Sequence, residues 1–182
     1  KTDKFKTITI RVLFRNEINK DEITLRNMLV SFLNYSNDLY RTKRDVVLKS
    51  EDLYAATVYS KAYRSGRYDM ISFYLTLLSE KYTEPGMLEE SIKYFSTFLF
   101  NPNFNDDIKY NDAFNYLYDG IEKNLKGLKE NGDGYSTVRM LEEMDSNMPY
   151  GYRDIGYLDD LKKITKDNLM SYYDKLINNS LS

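Results

Sequence analysis

The spacing of hydrophobic positions along the 182-residue chain changes several times, and each change marks an element. From Phe5 to Arg15 apolar and polar residues alternate. Ile8, Ile10, Val12 and Phe14 fall on one face and Thr7, Thr9 and Arg11 on the other, which predicts a half-buried strand. The period then lengthens. Asp21 stands at an expected helix cap, and Leu25, Met28, Leu29, Phe32 and Leu33 follow at helical spacing to about Asn34. Thr42 and Asp45 have capping-box spacing and open a second helix reaching about Tyr54. Extended stretches return at Ala55 to Arg64 and Arg67 to Leu78, with Ser65–Gly66 between them, so the two read as a hairpin. In the second of them Ile71, Phe73, Leu75 and Leu77 share a face opposite Met70, Ser72, Tyr74 and Thr76.

From here on every apolar stripe has helical spacing. Glu84–Pro85–Gly86 opens a helix carrying Leu88, Ile92, Phe95 and Leu99, which Asn101–Pro102 ends. A long helix follows from about Asp107 to Asn131, with Phe114, Leu117, Ile121, Leu125 and Leu128 as its stripe, broken by Asn131–Gly132 and Asp133–Gly134. Val138, Leu141 and Met144 mark another helix, Pro149 to Gly156 a loop rich in Tyr and Gly, and Thr165 the cap of a last helix bearing Leu169, Tyr172, Tyr173, Leu176 and Ile177. Strands come early and helices late, without the alternation of a doubly wound parallel sheet. The fold class is therefore α+β, an antiparallel sheet with helices packed mainly on one face. Three strands are few for so many helices. About four to six are expected, the remainder coming from a weakly patterned stretch or from beyond the end of the chain.

The length fits a single domain over residues 1–182. Composition then removes chemistry. There is no cysteine, which excludes disulfides, thiol nucleophiles and zinc–thiolate sites, and no histidine, which excludes serine triads and the usual zinc peptidase sites. A net charge of −2, from 26 basic and 28 acidic residues, gives no large positive field, so nucleic acid is not an expected partner. No apolar run approaches the roughly 20 residues of a spanning helix, and no signal-peptide pattern follows the first residues, so neither a membrane nor export is expected and the location reads as cytoplasmic. The remaining catalytic candidates are carboxylates, lysine, serine and tyrosine. The adjacent acidic pairs Glu89–Glu90, Asp106–Asp107, Glu142–Glu143 and Asp159–Asp160 point about 100° apart on a helix and read as solvated faces rather than dyads. No spacing fits a calcium loop, and the glycines at 132, 134, 151 and 156 fit neither a dinucleotide fingerprint nor a P-loop. No cofactor is expected. The scattered tyrosines, among them Tyr59, Tyr63, Tyr68 and Tyr74 in the hairpin, read either as sheet and helix packing or as a protein-binding surface.

The order of elements and several short blocks resemble the inverted-zincin peptidases, the pitrilysin, insulinase and mitochondrial processing peptidase group. The first strand resembles the family's opening strand. In that family the next helix carries H-x-x-E-H, two zinc-ligand histidines and a glutamate general base. The segment Leu25–Arg26–Asn27–Met28–Leu29–Val30–Ser31–Phe32 lies where the motif belongs; Asn27 and Ser31 stand at the histidine places and Val30 at the glutamate place. Leu99–Phe100–Asn101–Pro102–Asn103–Phe104 resembles the family's helix exit. The long helix after it would bring the third ligand, which falls near Glu122 or Asn124. Pro149–Tyr150–Gly151, Ile155–Gly156, Leu161, Ile164–Thr165 and Tyr172–Tyr173 resemble its closing block.

The resemblance covers almost the whole chain and implies a LuxS/processing-peptidase-like domain whose zinc site is lost. The nearest sub-group is the zinc-less processing-peptidase-like proteins of low-GC Gram-positive bacteria, some associated with elongation factor P modification. The family domain closes with a further strand, and the chain begins at Lys1 rather than methionine, so a piece of a longer two-domain protein is expected. The resemblance implies a non-catalytic peptidase homologue that binds or encloses unfolded peptide, partnered by a zinc-bearing homologous subunit or by a second copy. An interaction or structural domain unrelated to proteolysis is the alternative, and an active zinc peptidase a minor one, because Asn27 and Ser31 are poor zinc ligands.

Overall fold

The computed structural model describes residues 4–146 and 148–179. Ser180, Leu181 and Ser182, where a closing strand is expected to be missing, lie outside them. Strand β1 (Thr7–Glu17) is followed by α1 (Ile23–Tyr35) and α2 (Lys43–Asp52), the hairpin strands β2 (Thr57–Ser65) and β3 (Tyr68–Leu78), and then five helices: α3 (Met87–Phe100), α4 (Asp107–Gly127), α5 (Gly132–Met144), α6 (Leu158–Leu161) and α7 (Lys166–Asn179). The sheet order is β1-β3-β2. Lys6 lies opposite Ser79 and Ile18 opposite Arg67, so β1 runs antiparallel to β3. β3 is thus central. Its residues Asp69, Ile71, Phe73, Leu75 and Leu77 are all buried, while Tyr68, Met70, Tyr74, Thr76 and Leu78 on the other face are half-buried, the asymmetry of a sheet covered mainly on one side.

The described residues hold three strands, fewer than the four to six expected. The stretches after the hairpin are taken up by helices and their caps, which leaves no weakly patterned segment to supply another. Local chemistry explains most boundaries. The Thr42 capping box forms in full: Thr42 Oγ1 accepts from Asp45 N and the Asp45 carboxylate accepts from Thr42 N. Thr165 and Asn168 repeat this reciprocal pattern at α7. Asp21 is not the first cap. Asn19 is, holding a short 3-10 turn that runs into α1. Asn131 likewise caps α5, so Gly132 and Gly134 begin a helix instead of only ending one. The hairpin turns on Gly66–Arg67, with the positive φ at glycine, the first central residue, as in a II′ turn.

The chain forms two compact units. One contains the chain up to Leu13, Phe32–Lys61 and Ser72–Ala113. Its interior is aromatic. Phe32 stacks on Phe104 with ring centroids 5.2 Å apart and 5° between planes, and Tyr110 packs on Phe32 at the same distance, tilted. Tyr94 meets Tyr40 and Phe98 edge-on and donates its hydroxyl to Val46 O at 3.0 Å. That burial raises the Tyr94 phenol to about 12. The other unit contains Phe14–Ser31, Ala62–Ile71 and the chain from Phe114 onward. Its core is aliphatic, with Met28, Leu29, Ile71, Leu161, Leu169 and Leu176 all buried, and it also buries charge.

Candidate functional site

The part of α1 in the second unit, residues 23–31, carries all the positions at which the resemblance places the lost motif. The residues there are buried almost all round; Thr24, Arg26, Met28, Leu29 and Val30 are all inside. Arg26 is 1% exposed, so its guanidinium must find acceptors within the protein. It does so completely enough to organise its surroundings. Nη1 donates to the buried Asp69 carboxylate of β3, Nε donates to Asn27 Oδ1 at 3.1 Å, and Nη2 donates to Asn27 Oδ1, to Asp154 O at 3.0 Å and to Asp154 Oδ1 at 2.9 Å. Asp69 is 5% exposed, whereas the Asp154 side chain is 43% exposed, so the cluster runs from the interior to the surface. Burial raises the Asp69 carboxyl above the ordinary range; the Arg26 charge opposes that shift without cancelling it, and the nearby Asp154 adds to it.

Asp154 comes from the loop that the sequence marks only by its tyrosines and glycines. That loop is strapped down at several points within the same unit. Arg64 of β2 donates to Pro149 O and, at 3.0 Å, to Tyr152 O. Arg153 binds Glu142 of α5. Tyr157 N donates to Thr24 Oγ1 at 2.9 Å. Gly156 has φ +91°, and a Cβ there would stand 2.5 Å from Thr24 Oγ1 and 3.1 Å from Thr24 Cα, so only glycine lets the loop lie this close to α1.

The three positions at which the resemblance places the motif are occupied in other ways. Asn27 accepts from Arg26 with its side-chain oxygen and donates through Nδ2 to Asp154 O at 2.8 Å. Ser31 turns its hydroxyl back onto Asn27 O, 2.9 Å away on the preceding turn. Val30 is 6% exposed. Zinc takes imidazole, thiolate or carboxylate ligands. A neutral amide already holding three hydrogen bonds, a hydroxyl spent on its own helix and an aliphatic side chain do not fit it. The third-ligand region fares no better: Glu122 pairs with Lys126 at 2.8 Å and lies with Asn124 along an open groove on α4. Among the described residues no group of three or more His, Cys, Asp and Glu could hold a metal ion.

In the acidic pairs, Glu89, Glu90, Asp106, Glu142, Glu143, Asp159 and Asp160 each engage a lysine or arginine; Glu142 departs from the expected solvated face, its side chain being 15% exposed between Arg139 and Arg153. No helix among the described residues is long and apolar enough to cross a membrane. Sequence reasoning missed Arg26, Asp69 and Asp154. The one signal for them was a charged residue inside each of two apolar patterns: Arg26 within the α1 stripe and Asp69 on the inward row of β3.

Comparison with known proteins supplies the context for these positions. No family model matches the chain. It is 26% identical over 184 residues to the probable inactive metalloprotease YmfF of Bacillus subtilis (strain 168), covering 97% of this chain and 42% of that protein. Among solved structures, a conserved protein from Enterococcus faecalis V583 superposes with a TM-score of 0.87 at 18% identity, over 96% of this chain and 42% of the other. A protease from Helicobacter pylori follows with a TM-score of 0.68 at 14% identity, over 95% and 39%. The periplasmic protease PqqL from Escherichia coli gives 0.65 at 12% identity, over 94% and 18%. The chain thus has a peptidase-like α+β fold, and it spans less than half the length of these relatives.

Proposed function

We propose that this chain is a non-catalytic homologue of a zinc peptidase domain, which binds or encloses peptide beside a zinc-bearing homologous subunit or a second copy of itself. One observation carries the reading. The places where the resemblance puts the zinc-ligand histidines hold Asn27 and Ser31, and the place of the general-base glutamate holds Val30; the Asn27 amide is committed to the cluster around Arg26, the Ser31 hydroxyl to Asn27 O of its own helix, and Val30 is buried. A metal site has been replaced there by a structural one. The likeness to a Bacillus protein described as a probable inactive metalloprotease supports the same reading. Peptide capture needs no metal, because an extended segment added to a sheet edge is held by main-chain hydrogen bonds. The finer placing, beside the elongation factor P modification-associated proteins and in the cytoplasm, rests on the sequence resemblance alone.

Elemental measurement on the purified full-length protein, paired with a peptidase assay on unstructured peptides, tests the reading. No bound zinc and no cleavage are expected from the protein alone. Affinity capture from the source cell should bring down a homologue bearing H-x-x-E-H or a second copy. Stoichiometric zinc, or chelator-sensitive cleavage by the isolated protein, would refute the proposal.

A further inference from the structure

Among the described residues, the part of the sheet within the first unit presents a partly exposed face with a specific chemistry. Thr9 and Arg11 of β1, Tyr59 and Lys61 of β2, and Tyr74 and Thr76 of β3 point to it, and Tyr59 is 40% exposed. Tyr59 and Tyr74 stack across the hairpin with centroids 4.7 Å apart and 8° between planes. The Arg11 guanidinium lies 5.4 Å and the Lys61 ammonium 5.3 Å from the Tyr74 ring centroid. Ser72 Oγ accepts from Arg11 Nε at 3.2 Å and from Nη2 at 2.8 Å, which fixes the guanidinium in place. Residues 7–13, 57–61 and 72–78, the strand segments of this unit, contain no Asp or Glu. The charged side chains that these segments themselves contribute to the face are thus cationic.

The geometry points to a docking surface for an acidic, extended segment of a partner protein. Two arguments select that occupant. The first is charge complementarity: two pre-positioned cations, one a planar guanidinium suited to a carboxylate, flank a half-apolar ladder with no acidic side chain of its own. The second separates protein from nucleic acid. Sheet platforms that bind single strands offer open aromatic faces on which bases stack. Here Tyr74 is already engaged by Tyr59, Arg11 and Lys61, so the surface presents ring edges, hydroxyls and N–H donors. These suit carboxylates and main-chain carbonyls. The inference is independent of the fate of the metal motif, since none of these residues belongs to it.

The test is fluorescence anisotropy on the full-length protein with a labelled dodecapeptide of alternating glutamate and threonine, the same peptide with glutamine for glutamate, and a dodecamer of deoxythymidine. The glutamate peptide should bind, its affinity should fall steeply with added salt, and the glutamine peptide should bind weakly. Arg11→Glu with Lys61→Glu should weaken the glutamate peptide by at least roughly tenfold, while Arg41→Glu, outside the sheet, should leave it unchanged. If the double reversal does not fold, Arg11→Gln with Lys61→Gln should give a smaller loss in the same direction. Equal binding of the glutamine peptide, tighter binding of the oligonucleotide, or full affinity in a folded double variant would overturn the assignment. So would self-association that the same double variant abolishes, which would give the face to a second copy.

Discussion

The two ends of α1 bury opposite chemistries. Residues 23–31 take Arg26 inside with Asp69 and hold it with directional hydrogen bonds, whereas residues 32–35 begin the aromatic cluster of Phe32, Phe104 and Tyr110. An aromatic cluster is held by many weak contacts, so its loss scales with the surface removed. A buried charge is held by few strong ones, so removing a partner leaves the other stranded. The distinction is testable by compensation. Arg26→Met should cost about 3–5 kcal/mol in urea unfolding because Asp69 stays buried and unpaired, and adding Asp69→Leu should recover much of that. Phe32→Ala should cost a similar 3–5 kcal/mol through its cavity, and Asp69→Leu should not relieve it. If Asp69→Leu fails to improve the Arg26→Met protein, Asp69 is not the stranded partner and the contrast between the two ends collapses.

Restoring the motif sharpens the same contrast. Asn27→His with Ser31→His puts two imidazoles one helical turn apart, the spacing that zinc peptidases use. Here the change breaks the Asn27 bonds to Arg26 and Asp154 O. We expect a loss of about 2 kcal/mol in stability and no stoichiometric zinc after dialysis, because two imidazoles alone do not complete the ligand set that zinc takes. Retained zinc together with undiminished stability would show that the Arg26 cluster tolerates a metal and has not replaced one.

The loop that delivers Asp154 gives the next largest effect. Gly156→Ala forces a side chain into a left-handed position against Thr24, and should cost about 2 kcal/mol. Amide exchange at Tyr157, whose N–H rests on Thr24, should rise with it. Gly120 in α4 is the counterpart: it is exposed, with nothing within 4 Å of the place an added methyl group would take, so Gly120→Ala should stabilise by up to about 1 kcal/mol. Equal responses at the two glycines would mean that the loop is not pressed against α1.

What the sequence made legible follows from the range of the forces involved. The alternation in β1, the Thr42 box and the Thr165 cap depend on neighbours a few residues away, and all three are found as expected. Asp21 gave way to Asn19, and Gly132 and Gly134 became the first turn of α5, because cap choice among adjacent polar residues is decided by a few tenths of a kcal/mol. The cluster was illegible for a different reason. Arg26 meets residues 43 and 128 positions away, and no local pattern encodes such a meeting. Asn27, Val30 and Ser31 could be named as motif positions from the resemblance, but what surrounds them could be seen only once Asp69 and Asp154 had been brought there.

The smallest effect concerns the sign of a pH dependence. Burial raises Asp69 above its unfolded value, so its contribution to stability is full below the ordinary carboxylate range and is lost as pH rises through the raised value. Asp45, in the half-buried capping box, is lowered by its hydrogen bonds to Thr42, so its contribution is present above the ordinary range and is lost as pH falls through the lowered value. Urea midpoints between about pH 3 and pH 6 should therefore diverge in opposite directions. Relative to Asp69→Asn the wild type loses stability as pH rises, and relative to Asp45→Asn it gains. Both slopes fall to zero outside the windows set by each carboxyl's shift. Slopes of the same sign would mean that the Arg26 guanidinium governs Asp69 more strongly than burial does, and that the interior of this unit handles charge as the surface of the other does.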